Sequence, residues 1–349
     1  MSDLSAIDVI APNFKRRLSG VTSTVIRLVP LQAKSMAITA CAPQMPDHVP
    51  NVSWTRTITM SRSGPHGPRV WHARRNVEMI AGLALRHILR KDLKLLFTSA
   101  SQRKHTRLTK ALIARMDAVI ATSGKTAAYL ERPATVIHHG IDTDTFAPHP
   151  DKASLRQSLG LPFGPLLGCF GRIRAQKGTD VFVSAMIDVL GRHPEAAAIV
   201  MGRAVDKDQA YLGDLKTQVE AAGLSDRLRF LPEVPVWETS EFYQALDIYI
   251  APQRWEGFGL TPLEAMACGA PAIATRVGAF EEMIDEGRTG TLISPGDVGQ
   301  MVEAADTLLS DPKRLMQWSR NARQAMVERF QLQQEADAIM AIYRDLLGR

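Results

Sequence analysis

The chain has 349 residues, 45% of them hydrophobic, which is long enough for two domains of about 100 to 200 residues each. Its apolar runs are short and interrupted, and none approaches the roughly 20 residues that a membrane-spanning helix needs. Residues 1–6 contain no basic segment leading into an apolar stretch, so we expect neither a secretory signal nor a lipid anchor, and we predict a cytoplasmic protein.

Charge is unevenly distributed along the chain. Residues 1–150 contain 21 Lys and Arg against 9 Asp and Glu, a net +12, whereas the remainder contains 21 against 27, a net −6. A basic first half is typical of proteins that meet an anionic partner, such as a phosphorylated acceptor, nucleic acid or a membrane surface. A solvated basic face with no partner would give the same count.

The three cysteines are widely spaced and lie in apolar or small-residue surroundings. Cys41, Cys169 and Cys268 show neither CxxC spacing nor a nearby pair of histidines. We therefore interpret them as buried small hydrophobic residues.

Short β-rich runs alternate with helical patterns, which is typical of βα units on parallel sheets and predicts an α/β fold. In the first half we predict strands at 7–11, 37–42 and 117–121, a helix at 20–31, and a mostly helical segment at 70–90. In the second half we predict strands at 166–170, 197–201, 228–231 and 247–251, and helices at 179–192, 211–222 and 333–347. This order predicts a doubly wound sheet.

A polar, proline-containing stretch separates the two series of elements. We predict a first domain over 1–150, a linker over 151–165 with a helical turn at 153–159, and a second domain over 166–330. A C-terminal helix over 331–349 would be free to pack back on the first domain.

The strongest motif is EGFGLTPLEAMACG at 256–269, directly after a predicted buried strand. Thr261 suits a helix N-cap and Gly269 a helix stop, so a short helix should point its N-terminus at the loop. There the backbone amides of the loop and the helix dipole can meet a diphosphate. The predicted contacts of this motif are Glu256, Gly257, Phe258, Gly259, Leu260, Thr261 and Glu264.

Two carboxylates flank the predicted phosphate site. Glu256 could bind sugar hydroxyls, and Glu264 could accept hydrogen bonds from ribose hydroxyls. Glu264 also stands three residues after Thr261, so a capping box that needs no ligand is the alternative interpretation.

The second motif is GRIRAQKG at 171–178, between a predicted strand and helix. Arg172 and Lys177 can reach the same phosphates and neutralise a leaving diphosphate, with Gly171 at the start of the loop. A basic loop alone is also common on protein surfaces. The loop before Gly20 has the corresponding position after the first strand, but no GxGxxG pattern of a nicotinamide enzyme is present.

Several further residues are candidates for substrate contact. His72 and His105 could contact sugar or acceptor, although each could equally be structural, and Arg74, Arg75 and Arg103 could bind an anionic acceptor. Asp-x-Asp pairs occur at 142–144 and 206–208. We interpret both as turn formers rather than metal ligands, because Arg172 and Lys177 already supply positive charge.

Together these motifs resemble the retaining, family-4 type of GT-B glycosyltransferase, whose hallmark is Glu-x7-Glu, as at Glu256 and Glu264. The resemblance continues through most of the second half, at 171–178, 200–202, 277–282, 287–290 and 295–297, and includes 139–146 in the first. It implies two Rossmann-like domains facing across a cleft that closes around the substrates. It also implies donor contacts at Gly20, Gly202 and Val234, the last near the nucleobase.

The segments VWHARRN at 70–76 and APQRWEGFGLTP at 251–262 resemble, more narrowly, the lipopolysaccharide core mannosyltransferases of alphaproteobacteria. That resemblance implies retaining transfer of mannose from GDP-mannose to the Kdo and lipid A inner core, with no metal, no other cofactor and no nucleic acid. It further implies peripheral association with the inner leaflet of the inner membrane, since an anionic lipid-linked acceptor would attract the basic half.

The first half departs from the family pattern at two places. Ser19 replaces the first glycine of a doublet that ends at Gly20, and residues 97–100 read FTSA where the family often has a histidine, so His72 is expected to take over that contact. The alternatives are a transferase that uses a UDP-sugar with another glycan or lipid acceptor, a nucleotide-sugar epimerase or hydrolase, and a catalytically silent sensor.

Overall fold

The structure is a computed structural model that describes residues 4–15, 20–235 and 237–349. The chain divides into two compact units. Unit 1 contains residues 1–139 and 332–349, and unit 2 contains residues 140–331. The predicted linker at 151–165 therefore lies inside unit 2, and the boundary falls before it.

Unit 1 is built on a seven-stranded parallel sheet with the order β3-β2-β1-β4-β5-β6-β7. Its strands are β1 (Val9–Pro12), β2 (Ile38–Cys41), β3 (Asn51–Val52), β4 (Arg69–Ala73), β5 (Leu93–Ser99), β6 (Ala118–Ala121) and β7 (Thr135–Val136). Its helices are α1 (Gly20–Gln32), α2 (Trp54–Thr59), α3 (Asn76–His87), α4 (Arg107–Ile113), α5 (Gly124–Ala128) and the last helix of the chain, α14 (Leu332–Leu347).

Two separate apolar clusters cover the two faces of this sheet. One cluster joins Trp71 of β4 to Met79 and Leu85 of α3 and Leu112 of α4. The other joins residues of β1 and α1 to the C-terminal helix, with Tyr343 fully buried in it. The C-terminal helix thus completes the core of unit 1.

Unit 2 has a six-stranded parallel sheet with the order β10-β9-β8-β11-β12-β13. Its strands are β8 (Leu166–Phe170), β9 (Ala197–Met201), β10 (Leu228–Leu231), β11 (Ile248–Ala251), β12 (Ala272–Thr275) and β13 (Gly290–Ile293). Its helices are α6 (Lys152–Ser158), α7 (Thr179–Arg192), α8 (Gln209–Ala221), α9 (Thr239–Gln244), α10 (Leu260–Ala267), α11 (Phe280–Met283), α12 (Val298–Leu309) and α13 (Pro312–Arg329).

The strand order of each unit reverses direction next to its first strand, between β1 and β4 in unit 1 and between β8 and β11 in unit 2. In open parallel sheets, ligands bind outside the carboxyl ends of the strands at such switch points. We therefore expect the ligand site of unit 2 at the loops after β8 and β11. No helix among the described residues is long and apolar enough to cross a bilayer.

The segment 70–90 corrects the sequence prediction of a mostly helical stretch. Its first part is the strand β4, in the sheet between β1 and β5, and only Asn76–His87 is helical. β4 is buried along its whole length, so it shows none of the polar and apolar alternation that marks a half-buried strand.

All three cysteines are free and buried, which confirms their interpretation as core residues. Burial raises the pKa of each thiol, Cys41, Cys169 and Cys268, to about 12. We expect the folded protein to react with a thiol reagent such as DTNB about 1000-fold more slowly than the unfolded chain at pH 8, because the thiolate is the reactive form. Stopped-flow titration with and without denaturant measures this ratio, and rapid labelling of the native protein would contradict the burial.

Candidate donor-binding site

The loops after β8 and β11 meet at the switch point of unit 2. Lys177 Nζ lies 2.5 Å from Glu256 Oε2, and the two side chains are only 24% and 19% exposed. The second carboxylate oxygen of Glu256 accepts a hydrogen bond from the Gly257 amide at 3.0 Å. The two motifs that the sequence singled out are therefore in direct contact, and Glu256 is held by both of its oxygens.

The helix of the motif at 256–269 begins two residues earlier than predicted. α10 starts at Leu260 with Gly259 as its N-cap, so the prediction that Thr261 caps it is wrong. Gly259 has φ = +94°, and a Cβ there would lie 2.2 Å from the Phe280 ring. Only glycine fits this conformation and this space, and it determines where the helix begins. Gly269 has φ = +82° just beyond the helix, in agreement with its predicted role as the stop.

Thr261 and Glu264 instead hydrogen-bond two buried tyrosines. The Tyr243 hydroxyl donates to Glu264, and the Tyr249 hydroxyl is hydrogen-bonded with Thr261. Burial is the main cause that raises the pKa of both tyrosines well above the usual value, so both stay protonated. Because Thr261 does not cap the helix, the capping-box interpretation of Glu264 is wrong. The hydrogen bond from Tyr243 orients the Glu264 carboxylate instead.

Tyr249 also ties the first turn of α10 to the end of β8. Its hydroxyl donates to the Phe170 carbonyl at 3.3 Å, directly before Gly171. Gly171 and Gly202 then meet where β8 and β9 end. A Cβ on Gly202, which has φ = +153°, would lie 1.8 Å from the Gly171 carbonyl oxygen, so the two loops approach as closely as their backbones allow.

The remaining predicted donor contacts of unit 2 lie on the same edge of the sheet. Arg172 follows Gly171 and its side chain is exposed, whereas Phe258 is buried beneath the loop. Val234 follows β10, and its side chain packs against the core cluster that contains Phe258. The carboxyl ends of β8, β9, β10 and β11 thus gather the predicted donor residues of unit 2 at one edge of the sheet.

An ion pair that the sequence analysis missed joins the two donor loops. Arg254 donates to both carboxylate oxygens of Asp180 at 2.7 Å and to the Ala175 carbonyl at 2.5 Å. Asp180 also accepts a hydrogen bond from the Tyr211 hydroxyl. Burial alone would raise the pKa of Asp180, but the hydrogen bonds from Arg254 and Tyr211 outweigh it and lower the pKa. Arg254 therefore fixes the loop that carries Lys177 against the loop that carries Glu256.

We expect the Arg254→Ala substitution to raise the KM for the nucleotide-sugar donor about tenfold with a smaller change in kcat, because the loops lose their brace but keep their reacting groups. Arg254→Lys should recover only part of the loss, since lysine cannot form the bidentate contact. Steady-state kinetics at varied donor concentration test this expectation. An unchanged KM for Arg254→Ala would show that the loops are held without this ion pair.

His72, predicted to be catalytic, is occupied inside unit 1. It is fully buried on β4, with Nδ1 2.6 Å from the Tyr343 hydroxyl and Nε2 2.6 Å from Thr98 Oγ1. Burial, reinforced by the neighbouring Arg74 cation, lowers the pKa of His72 well below its usual value. A neutral ring with both nitrogens engaged connects the sheet to the C-terminal helix, and this geometry does not support substrate contact.

Of the three predicted acceptor arginines, two make internal contacts. Arg75 donates to Asn13 at 2.6 Å and to the buried Glu78 at 2.8 Å, and Arg74 donates to the His72 carbonyl. Arg103 is exposed in the loop before α4. His105, in the same loop, is partly buried, and burial together with the Arg103 cation lowers its pKa.

The predicted loop contact at Gly20 is only partly described. Gly20 is the first residue of α1, whereas Ser19 and the three residues before it lie outside the described residues. The Asp142 carboxylate accepts hydrogen bonds from the amides of Asp144 and Thr145, which is the geometry of a turn. Within residues 4–15, 20–235 and 237–349, no group of three or more His, Cys, Asp or Glu side chains could hold a metal ion.

Residues 151–325 match the family model described as glycosyl transferases group 1. The chain is 50% identical over 355 aligned residues to the lipopolysaccharide core biosynthesis mannosyltransferase LpsB of Rhizobium meliloti, covering 99% of this chain and 100% of that relative. It is 47% identical over 350 residues to the corresponding enzyme LpcC of Rhizobium leguminosarum, covering 100% of this chain and 99% of the relative.

The fold is similar to that of HepE of Anabaena, solved in complex with UDP. The TM-score is 0.85 at 20% identity, over 97% of this chain and 100% of that one. This likeness bears on the fold alone and confirms the class expected from the sequence, α/β with two Rossmann-like domains of the GT-B type.

Proposed function

Because this chain belongs to the glycosyl transferases group 1 family, we propose that it transfers mannose from GDP-mannose to the Kdo and lipid A inner core of lipopolysaccharide, with retention at the anomeric carbon. The chain is a glycosyltransferase, and its full-length similarity to two rhizobial core mannosyltransferases supports the sugar and the acceptor class. The proposed roles of the site residues, the retention of configuration and the metal independence are based on the geometry of unit 2.

The contact between Lys177 and Glu256 is the observation that carries the proposed chemistry. In the proposal the donor diphosphate lies over the N-terminus of α10, beside the bare backbone of Gly257. Lys177 and the exposed Arg172 neutralise the charge that develops on the leaving diphosphate. Glu256, whose carboxylate Lys177 orients, binds the hydroxyls of the transferred sugar, and Glu264 binds the ribose.

We propose front-face transfer without a covalent intermediate. A carboxylate held by a lysine and a backbone amide suits a hydrogen-bond acceptor for hydroxyls better than a nucleophile. The donor phosphate itself would take the acceptor proton as the new bond forms on the face that the diphosphate leaves. The sugar therefore keeps its configuration.

We also propose that the reaction needs no metal ion. In the proposal, Arg172, Lys177 and the dipole of α10 supply the positive charge that a divalent cation would otherwise bring to the diphosphate. Transfer should then proceed unchanged in EDTA.

The alternative is the same chemistry with a UDP-sugar, which is favoured by the UDP found in the similar structure of HepE. The base-recognition segment after β10 would contact either nucleobase through its backbone, so the residues of unit 2 suit both donors. An epimerase would need acid and base carboxylates from the first half of the chain, where residues 1–150 contain 9 Asp and Glu against 21 Lys and Arg.

A thermal-shift panel with GDP-mannose, UDP-glucose, UDP-galactose and UDP-N-acetylglucosamine, with and without EDTA, tests the donor. We expect stabilisation by GDP-mannose alone, unchanged by EDTA. Glu256→Gln should weaken this stabilisation, whereas Glu220→Gln, an exposed carboxylate on α8, should leave it intact. Stabilisation by a UDP-sugar would overturn the mannosyl assignment, and a response that needs a metal would overturn metal independence.

A further inference from the structure

Helix α3 of unit 1 has two apolar faces. Its inner face packs Met79 and Leu85 into the core under the sheet. Its outer face exposes Val77, Ile80 and, just beyond the last turn, Ile88, at 50%, 46% and 77%. The spacings of three and eight residues place these three side chains along one stripe of the helix. An outward apolar stripe on a surface helix has no role in the core.

Helix α4 extends this apolar surface beside α3. Asn76 donates to Thr109 at 2.8 Å near the start of both helices, and Arg86 donates to the Arg115 carbonyl at 2.9 Å near their ends. The helices therefore run side by side and parallel. Leu108, 60% exposed in the first turn of α4, is a fourth exposed aliphatic side chain on this pair of helices.

Positive charge is concentrated in the segment that carries these aliphatic side chains. Residues 74–115 contain 11 Lys and Arg against two acidic residues, a net +9. The exposed cations of this segment are Arg90, Arg103, Lys104, Arg107, Lys110 and Arg115.

The acidic groups nearby do not cancel this charge. Glu78 is buried against Arg75, Asp117 pairs with Arg86, and Glu131 pairs with Lys110. Asp92 is the remaining exposed carboxylate between 74 and 115. The surface keeps a large excess of positive charge.

We propose that the outer surface of α3 and α4 docks on an anionic lipid bilayer, with the aliphatic side chains of Val77, Ile80, Ile88 and Leu108 entering the interface and the surrounding cations meeting lipid phosphates. This inference deepens the proposed function and rests on it, since a lipid-linked acceptor has to be reached at a membrane surface. It also assigns that role to a particular face of unit 1.

The combination of aliphatic and basic side chains favours a lipid bilayer over other partners. Aliphatic groups ringed by Lys and Arg are typical of surfaces that lie in the headgroup region, where burial and electrostatic attraction add. A second copy of the chain would bring the same positive charge against itself. Nucleic acid would meet aliphatic side chains where stacking aromatic groups are usual.

Vesicle co-sedimentation tests the proposal with the full chain. The wild type should bind vesicles of phosphatidylglycerol mixed with phosphatidylcholine and fail to bind pure phosphatidylcholine. The double substitution Ile80→Glu and Ile88→Glu should weaken binding at least about tenfold, because it puts charge into the apolar interface. Lys104→Gln with Arg107→Gln should weaken it by about 5-fold per charge removed.

Matched controls lie in unit 2. Met316→Glu, at an equally exposed apolar position on α13, and Arg192→Gln with Lys207→Gln should leave vesicle binding unchanged. Stabilisation by GDP-mannose without vesicles is measured on every variant. It should stay at the wild-type value, and it reports the proposed function separately from docking.

Four outcomes would overturn the docking proposal. They are wild-type binding to neutral and anionic vesicles alike, no binding to either, equal losses in the unit 2 controls, and a wild-type dimer in light scattering that Ile80→Glu dissociates. Loss of the GDP-mannose response with normal vesicle binding would instead count against the proposed function.

Discussion

The Lys177→Ala substitution is expected to lower kcat for sugar transfer by about 100- to 1000-fold. Lys177 is the cation that contacts Glu256, and in the proposed chemistry it neutralises the departing diphosphate. Removing one such group from a preorganised site has effects of that size in other enzymes. The loss should appear mainly in kcat, because the charge develops only as the bond to the diphosphate breaks.

The matched control for Lys177→Ala is Lys207→Ala, an exposed lysine of the same unit. It should keep wild-type turnover. Lys177→Arg should keep part of the activity, because it retains the charge but changes the geometry of the contact. A change in kcat of less than about 3-fold for Lys177→Ala, in a variant with normal thermal stability, would remove Lys177 from the mechanism.

The Gly202→Ala substitution is expected to abolish donor binding and to lower the free energy of unfolding of the protein by about 3 kcal/mol or more. Two costs combine at this position. The backbone has φ = +153°, which a residue with a Cβ rarely adopts, and the new methyl group would lie 1.8 Å from the Gly171 carbonyl oxygen. The backbone atoms cannot move aside as a flexible side chain could, so the loops after β8 and β9 must separate.

Gly223→Ala separates these two costs. Gly223 also has a positive φ, +68°, but a Cβ there would meet no atom within 4 Å. We expect it to cost about 1 kcal/mol in the free energy of unfolding and to leave donor binding unchanged. Denaturant unfolding and titration with GDP-mannose measure both quantities. Equal effects of the two substitutions would mean that the close approach of Gly171 and Gly202 has no functional importance.

The elements predicted in unit 2 agree closely with the structure, although β12, β13, α12 and α13 were not predicted. Strands β8, β9 and β10 and helix α7 have the predicted bounds, because each is a short apolar run or a clear amphipathic pattern between glycine or proline signals. The error lay in the segment 70–90 of unit 1. Only Arg74 and Arg75 separate the fully buried strand β4 from the helix α3, and β4 does not alternate between polar and apolar residues, so periodicity alone does not divide the segment.

The donor motifs were readable because their chemistry is local in the sequence. Glycine, Lys177 and Glu256 lie in two short loops, and the carboxyl ends of β8 and β11 bring those loops together. The start of α10 was misplaced by two residues, because a threonine followed three residues later by a glutamate imitates a cap. Glycine is required at position 259 because the Phe280 ring leaves no room for a side chain there, and this contact forms only in the folded chain.

Contacts between distant segments could not be predicted. The Arg254 brace reaches back 74 residues to Asp180, and Tyr343 meets His72 across 271 residues. No spacing rule connects such pairs, so Arg254 was overlooked and His72 was assigned to catalysis. In the sequence, a histidine next to two arginines suggests a substrate-binding site. In the folded structure, both ring nitrogens of His72 are hydrogen-bonded to the hydroxyl groups of Tyr343 and Thr98.

The central claim is tested most directly by incubating the protein with GDP-mannose and a Kdo-bearing lipid A precursor in EDTA and determining the anomeric configuration of the product by NMR. We predict a single added mannose with the α-configuration of the donor, formed at the same rate with and without EDTA. A β-linked product, a requirement for metal, or transfer only from a UDP-sugar would contradict it.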